Sequence, residues 1–174
     1  EEYLLIDGYN IIFAWEELKE LAEENIDSAR SRLMDMMCNY QGFKGCHLIL
    51  VFDAYKVAGF LGEVQKYHNI HVVYTKEAET ADQYIEKLSY KIGSRHHVTV
   101  ATSDAVIQLI IMGQGCSRMS AAELKEELEK INQQIRKDYL EQPKKNKQYL
   151  FDGMDQKQRE EIEEIRLGKK SFKP

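Results

Sequence analysis

The stretch His47–Phe52, His-Leu-Ile-Leu-Val-Phe, is the clearest strand signal in the chain, an apolar run that ends at an aspartate, Asp53. A second apolar run, Tyr3–Ile6, ends in the same way at Asp7. Gly8 follows it, which predicts a turn after that strand. Both runs are continuously apolar rather than alternating, which is typical of strands that are buried on both faces of a parallel sheet.

Two further strands and five helices extend this pattern. Ile70–Tyr74 and Val98–Ala101 are predicted strands, and helical periodicity is found over residues 15–22, 28–40, 80–92, 105–112 and 120–139. Strands that alternate with helices predict an α/β fold, in which helices cover both faces of a parallel sheet.

Pro143 interrupts the last long helical pattern, and a basic run, Lys144-Lys145-Asn146-Lys147, comes directly after it. We therefore predict one domain over residues 1–142. A basic linker and a C-terminal helical tail are predicted over residues 143–174, with the tail helix at 155–167.

Composition excludes several classes of protein. The 174 residues are 43% hydrophobic and carry a net charge of −5, which suits one globular domain and not a protein that coats nucleic acid by bulk charge. No apolar run approaches the ~18 residues of a membrane span. The first residues do not resemble a secretory leader, and the three cysteines form no Cys-x-x-Cys pair. We expect a cytoplasmic monomer with no membrane partner.

Four aspartates follow the strands. Asp7 and Asp53 end the first two, Asp104 comes just after the last, and Asp82 opens the helix that follows Ile70–Tyr74. In a parallel sheet all these positions lie at the carboxyl edge, where α/β proteins bind their ligands.

Carboxylates that crowd into one crevice repel each other, and the repulsion raises their pKa values unless a cation offsets it. Hard oxygen ligands suit Mg²⁺ or Mn²⁺. Such an ion activates water and positions a phosphodiester, so the pattern predicts in-line phosphodiester hydrolysis.

Each of these residues also has a purely structural explanation. Asp7 before a glycine suits a turn, and Asp53, Asp82 and Asp104 suit helix caps or first-turn positions. Asn10 tolerates a left-handed turn, and simple N-capping would explain Thr80 and Ser103. A shared edge for all four acids is harder to explain by capping alone.

Four motifs in order resemble those of the YacP-like branch of the NYN domains, which are PIN-like nucleases. The motifs are Asp7-Gly8-Tyr9-Asn10, Val51-Phe52-Asp53-Ala54, Glu79-Thr80-Ala81-Asp82 and Ala101-Thr102-Ser103-Asp104. The resemblance covers about residues 3–140. It implies a PIN-like three-layer fold, with helices on both faces of a central, mostly parallel sheet, and a ribosome-associated endoribonuclease that cleaves mRNA.

The same resemblance assigns roles to individual residues. Asp7, Asp82 and Asp104 would be the main acids of a Mg²⁺ or Mn²⁺ site, Asp53 a peripheral member and Asn10 a polar site residue. Gln83 stands where many relatives carry a further acid, so the sequence departs from the family pattern at that position.

The predicted RNA contacts come from residues near the same edge. Candidates for phosphate contacts are Ser103, Thr80, Arg118, Lys56, Lys144 and Lys145, with Lys76 and Lys147 nearby; candidates for base stacking are Tyr9, Trp15, Tyr55 and Phe60. The aromatic residues also suit a core, and the lysine run also suits a solvated linker. Because the net charge is negative, we expect weak affinity for free RNA and presentation of the substrate by the ribosome.

The main alternative is a PIN-like module without catalytic activity that binds RNA or the ribosome. The presence of all four aspartates favours the enzyme over this module.

Overall fold

The computed structural model describes residues 1–54, 62–141, 157 and 160, and its first two ranges contain six strands and six helices. The strands are β1 (Glu2–Asp7), β2 (His47–Phe52), β3 (Val64–Tyr67), β4 (Ile70–Tyr74), β5 (His97–Ala101) and β6 (Ser117–Met119). The helices are α1 (Gly8–Ala14), α2 (Glu16–Glu24), α3 (Ile26–Lys44), α4 (Ala81–Gly93), α5 (Ala105–Gly113) and α6 (Ala121–Glu141). Their order along the chain is β1-α1-α2-α3-β2-β3-β4-α4-β5-α5-β6-α6.

The strands form one sheet in the order β3-β4-β2-β1-β5-β6. All neighbours are parallel except β3, which runs antiparallel to β4. The chain builds outward from β1 to β2 and β4, and then crosses back to place β5 on the other side of β1. The strand order therefore reverses between β1 and β5, which makes the carboxyl end of β1 the expected binding position.

Apolar layers on both faces of the sheet hold the helices in place. One layer joins α1, α2, α3 and the first part of α6 to β1, β2 and β4. The other joins α4 and α5 to the opposite face of β1, β2 and β5. The predicted fold class, a mostly parallel sheet with helices on both faces, is confirmed.

Three elements were not predicted. β3 and β6 are short edge strands of four and three residues, too short and too polar to give a continuous apolar run. The predicted turn at Asp7-Gly8 is wrong, because α1 begins at Gly8 directly after β1. A strand that passes straight into a helix needs a small residue at the junction, and such a residue also signals a turn.

The contacts within the chain divide it into two units, Glu1–Ile131 and Asn132–Pro174, with a boundary within α6. The predicted linker and tail helix lie outside the described residues, and the division at residue 142 stays a prediction. No helix in the described part of the chain combines the length and apolar character needed to cross a bilayer.

Gly8 permits the close junction between β1 and α1. A Cβ atom at this position would overlap two carbons of the Phe52 ring and lie 2.9 Å from the carbonyl oxygen of Val51. Both neighbours belong to β2, whose register against β1 is fixed by pairs such as Asp7 with Val51. Neither can move away without disturbing the buried sheet.

We expect Gly8→Ala to destabilise the fold by about 2–3 kcal/mol, because it overpacks a rigid junction. Gly42→Ala, inside α3, is the matched control. Its new Cβ would come no closer than 3.8 Å to Asn69, so the better helix propensity of alanine should stabilise by about 0.5–1 kcal/mol. Urea unfolding midpoints test both, and an unchanged midpoint for Gly8→Ala would contradict this account.

Candidate active site

The four aspartates line one cleft at the carboxyl edge of the sheet, with a cavity volume of about 540 Å³. Asp7 ends β1, Asp53 follows β2, Asp82 lies in the first turn of α4, and Asp104 precedes α5. The other lining residues are Tyr9, Asn10, Phe13, Ala14 and Thr80. Residues almost a hundred positions apart thus meet in one place.

Asp7 is the most deeply placed of these acids, with 6% of its surface exposed. Burial raises the pKa of its carboxyl group to about 7, and the negative charges of Asp82 and Asp53 contribute to the rise. The Thr102 hydroxyl donates a hydrogen bond of 3.4 Å to Asp7 Oδ2, which opposes this shift. A buried carboxyl group without a cationic partner is held partly protonated at neutral pH.

Asp82 shares this environment at the start of α4. Its pKa is also raised, first by burial and then by the charges of Asp104 and Asp53, while a hydrogen bond with Asp7 lowers it. The two acids therefore form a coupled pair in which each carboxyl group affects the protonation of the other.

Asp53 and Asp104 are held by backbone amides. Asp53 Oδ1 accepts a hydrogen bond of 2.6 Å from the amide of Ala81, the first residue of α4. Asp104 caps α5 by accepting from the amides of Val106 at 2.9 Å and Ile107 at 3.4 Å. The capping explanation is therefore correct for Asp104, and it is compatible with a position in the cleft.

Asn10 and Ser103 tie α1 to the loop after β5. The amide of Ser103 donates to Asn10 Oδ1 at 2.8 Å, and Ser103 Oγ accepts from the amide of Ala121 at 3.3 Å. Asn10 lies within α1, so the left-handed turn considered for it is wrong. Thr80 caps α4 in a capping box with Gln83, as simple N-capping predicts, and it also lines the cleft.

Thr102 was missed by the sequence reasoning. It is fully buried, and its hydroxyl group donates to Asp7 and accepts a hydrogen bond of 3.1 Å from the amide of Asp104. It thereby links two of the acids. Its only signal was its place inside the fourth motif, between a buried strand and Asp104.

The charge of the cleft is strongly negative. The described lining residues include four aspartates but no lysine, arginine or histidine. Across residues 1–54 and 62–141, no ion pair involves any of the four. Within those ranges, no three acidic, histidine or cysteine side chains are arranged as a ready ligand group for a metal ion.

The donor chemistry nevertheless fits a hard divalent cation. Mg²⁺ often binds through one or two carboxylates and keeps several waters, so it does not need three preformed ligands. The backbone of Asn10 donates a hydrogen bond to Asp7, as Ala81 does to Asp53 and the first turn of α5 to Asp104. Within the described residues, Asp82 has a hydrogen bond with the Asp7 side chain and none from a backbone amide. Because the Asp7 and Asp82 carboxyl groups are close enough to share a hydrogen bond, one cation could contact both, and they are the best-suited direct ligands.

The other predicted RNA-contact residues divide into two groups. Arg118 lies on the edge strand β6, where it donates to Gln108 at 3.3 Å, and it does not line the cleft. Lys56, Lys144 and Lys145 lie outside the described residues, so their assignment stays a prediction.

Only part of the prediction for base-stacking aromatic residues agrees with the structure. Trp15 is 2% exposed and donates through Nε1 to the carbonyl of Ala121 at 2.8 Å, so it is a core residue and not a stacking surface. Tyr9 does line the cleft, together with Phe13, which the sequence reasoning did not identify. Tyr55 and Phe60 lie outside the described residues.

Comparison with known proteins agrees with this architecture. The family model described as "YacP-like NYN domain" matches residues 4–167. The protein YacP of Bacillus subtilis (strain 168) is 44% identical over 135 residues, which cover 77% of this chain and 79% of that protein.

Two crystal structures of Bacillus subtilis Rae1 (YacP) are also similar. One aligns with a TM-score of 0.71 at 37% identity and covers 97% of each chain. The other, of a mutant of that protein, aligns with a TM-score of 0.68 at 41% identity and covers 78% of this chain and 79% of that one.

The parallel sheet with its acidic carboxyl edge and the match to an NYN domain model together support a nuclease-type α/β protein with an RNA-related function. More closely, the chain belongs to the YacP-like NYN domain family.

The raised pKa of Asp7 predicts a pH-dependent cost to stability. Its value of about 7 in the folded protein exceeds the ordinary 3.8, so stability is lost as pH rises from about 4 to about 7. In EDTA, Asp7→Asn should therefore stabilise the fold, and its gain over wild type should grow by about 2 kcal/mol between pH 5 and pH 8.

Urea unfolding at several pH values measures this gain. Glu20→Gln, at an exposed position of α2, is the control and should show no such growth. A difference between Asp7→Asn and wild type that stays constant across this pH range would contradict the assigned environment of Asp7.

Proposed function

We propose that the protein is a divalent-metal-dependent endoribonuclease that cleaves mRNA in association with the ribosome. The observation that carries this proposal is the convergence of four carboxyl groups in one cleft that has no cation among its described lining residues. Membership of the YacP-like NYN family supports the nuclease-type, RNA-related part of the proposal.

Asp7 and Asp82 would hold Mg²⁺ or Mn²⁺ directly, while Asp104 and Asp53 would add negative charge around it. Such an ion, when bound, supplies an activated water and stabilises the departing oxygen of a phosphodiester. Thr102 orients Asp7 and the loop that carries Asp104. Asn10 is oriented by the Ser103 amide, which occupies its Oδ1 and leaves its NH₂ group available for a phosphate oxygen.

The association with the ribosome rests on charge. The chain carries a net charge of −5, and without a bound cation the cleft itself repels phosphate. A partner that holds mRNA next to the cleft raises the effective concentration of the substrate without requiring high intrinsic affinity.

One observation favours a second candidate, a non-catalytic module that binds RNA or the ribosome. Asp53 and Asp104 have clear structural roles as acceptors for backbone amides, and no ready ligand group is present in the described ranges. These structural roles alone would explain the presence of both acids in a protein that does not cleave RNA.

Cleavage of mRNA with Mg²⁺ or Mn²⁺, with EDTA as the comparison, separates the two candidates. We expect wild type to cleave only with metal. Asp7→Asn and Asp82→Asn should each lower the rate about 100-fold or more, because bound metal contributes several kcal/mol to the transition state. Glu20→Gln should cleave like wild type. No cleavage by wild type under any condition would favour the non-catalytic module. Equal activity of wild type and the two cleft variants would contradict the assignment of the cleft as the active site.

Comparison of the same mRNA free and on translating ribosomes tests the proposed partner. Wild type with metal should cleave ribosome-bound mRNA faster, and the advantage should decline as salt weakens the assembly. Equal rates for free and bound mRNA would remove the ribosome from the proposal without affecting the nuclease site.

A further inference from the structure

A second cavity of about 530 Å³ adjoins the acidic cleft and has no assigned role. The two spaces share Tyr9, Phe13, Asp53 and Thr80 in their linings. A ligand in the cleft can therefore extend a neighbouring group into this cavity. Its remaining described lining residues are Ile26, Ala54, Glu77, Ala78 and Glu79.

One wall of the cavity is aromatic. Phe13 is 55% exposed, an unusual position for a phenylalanine, and its ring centroid lies 6.5 Å from that of Tyr9 with the planes inclined by 29°. A half-exposed ring that belongs to two adjoining cavities is suited to stacking with a flat ligand.

Tyr9 is fixed from behind by a buried cation. Arg30 is 6% exposed, donates through Nη1 to the Tyr9 hydroxyl oxygen at 3.0 Å, and forms an ion pair with Asp27. Tyr9 also packs against Phe52 with centroids 5.1 Å apart. The aromatic wall therefore includes one ring held in place before any ligand arrives.

The polar groups of the cavity are carboxylates. Glu79 is neutralised by Lys87, with Nζ 2.8 Å from Oε2, and Asp53 uses one oxygen for the Ala81 amide. Glu77 is exposed and takes part in none of the ion pairs or side-chain hydrogen bonds found among the described residues. Carboxylates repel phosphate but accept hydrogen bonds from amino and ring N–H groups, so this chemistry suits a base rather than the backbone of a nucleic acid.

We propose that this cavity binds one unpaired nucleobase of the RNA, adjacent to the scissile phosphate. The base stacks on Phe13 and directs its amino edge toward Glu77. This inference rests on the proposed function for the identity of the ligand, and it adds a specificity subsite to the site.

The subsite discriminates among bases by their donors. Guanine presents a ring N–H and an amino group side by side, which matches the two oxygens of one carboxylate. Adenine and cytosine present one amino group, whereas uracil presents one ring N–H between two carbonyl groups that the carboxylate repels. Guanine should therefore bind best and uracil worst.

Binding is tested with a short single-stranded oligouridine that carries one 2-aminopurine, a base whose fluorescence falls when it stacks. The Asp7→Asn background is used because it removes one carboxylate and prevents cleavage under the proposed function. Phe13→Ala should abolish the fluorescence change and weaken binding roughly tenfold, while Phe13→Trp should retain both. Phe43→Ala, which removes a ring 51% exposed on α3, is the matched control and should bind normally.

Base preference is tested in the same background by competition with otherwise identical oligouridines that carry one guanine, adenine, cytosine or uracil at that position. The guanine competitor should be stronger than the uracil one by roughly tenfold, and Glu77→Gln should reduce this ratio several-fold, because an amide both donates and accepts. Equal binding by Phe13→Ala and Phe13→Trp, or a base preference unchanged by Glu77→Gln, would overturn the subsite.

Failure of the subsite is distinguishable from failure of the nuclease function. If wild type cleaves mRNA with metal, and Phe13→Ala changes neither the rate nor the base preference, the proposed function stands and the subsite is overturned. If the protein never cleaves RNA, but its binding of the 2-aminopurine RNA depends on Phe13, the cleavage proposal is overturned and the subsite is supported. Absence of both cleavage and binding overturns both.

Discussion

The buried carboxyl group of Asp7 lies at the carboxyl end of β1, the strand between β2 and β5, where the strand order reverses. Water is largely excluded there, and the carboxyl groups of Asp82 and Asp53 add negative charge that no described lining residue of the cleft offsets. A fold that places charge of one sign in such a position carries a cost to stability. The cost is explained if a cation and a phosphate complete the site during function.

Several parts of the structure serve to keep this arrangement in place. Gly8 lets the chain pass from β1 into α1 against the Phe52 ring, which brings Asn10 to the cleft two residues later. Thr102 connects Asp7 to the amide of Asp104, and Asp53 holds the first residue of α4. The acids are thus positioned by backbone amides and hydroxyl groups, which do not neutralise them. That combination suits a site that must hold its geometry and still attract a cation.

Much of this architecture could be predicted from the sequence because buried parallel strands are continuous apolar runs. The bounds predicted for β2 and β4 agree with the structure. Because the strand ends share one edge of the sheet, the sequence also predicted that Asp7, Asp53, Asp82 and Asp104 lie close together. Elements governed by local geometry were missed. The glycine that starts α1 also signals a turn, and the edge strand β3 has only a half-buried, alternating pattern.

Mainly the charged residues of the site could be predicted from the sequence. Aspartates at strand ends are conspicuous, whereas the role of Thr102 depends on a hydroxyl group whose partners lie 95 and two residues away. Phe13 was missed for a related reason. Its place beside Tyr9 depends on α1 being a helix, and the sequence pattern there predicted a turn.

Equilibrium binding of Mn²⁺ tests the central claim most directly, because it requires neither RNA nor ribosomes. The free ion can be followed by its paramagnetic resonance signal at neutral pH as protein is added. Wild type should show saturable binding that Mg²⁺ displaces, and Asp7→Asn and Asp82→Asn should each weaken it at least about tenfold. Binding that is absent from wild type, or that persists unchanged in both variants, would contradict the assignment of this cleft as a metal-dependent nuclease site.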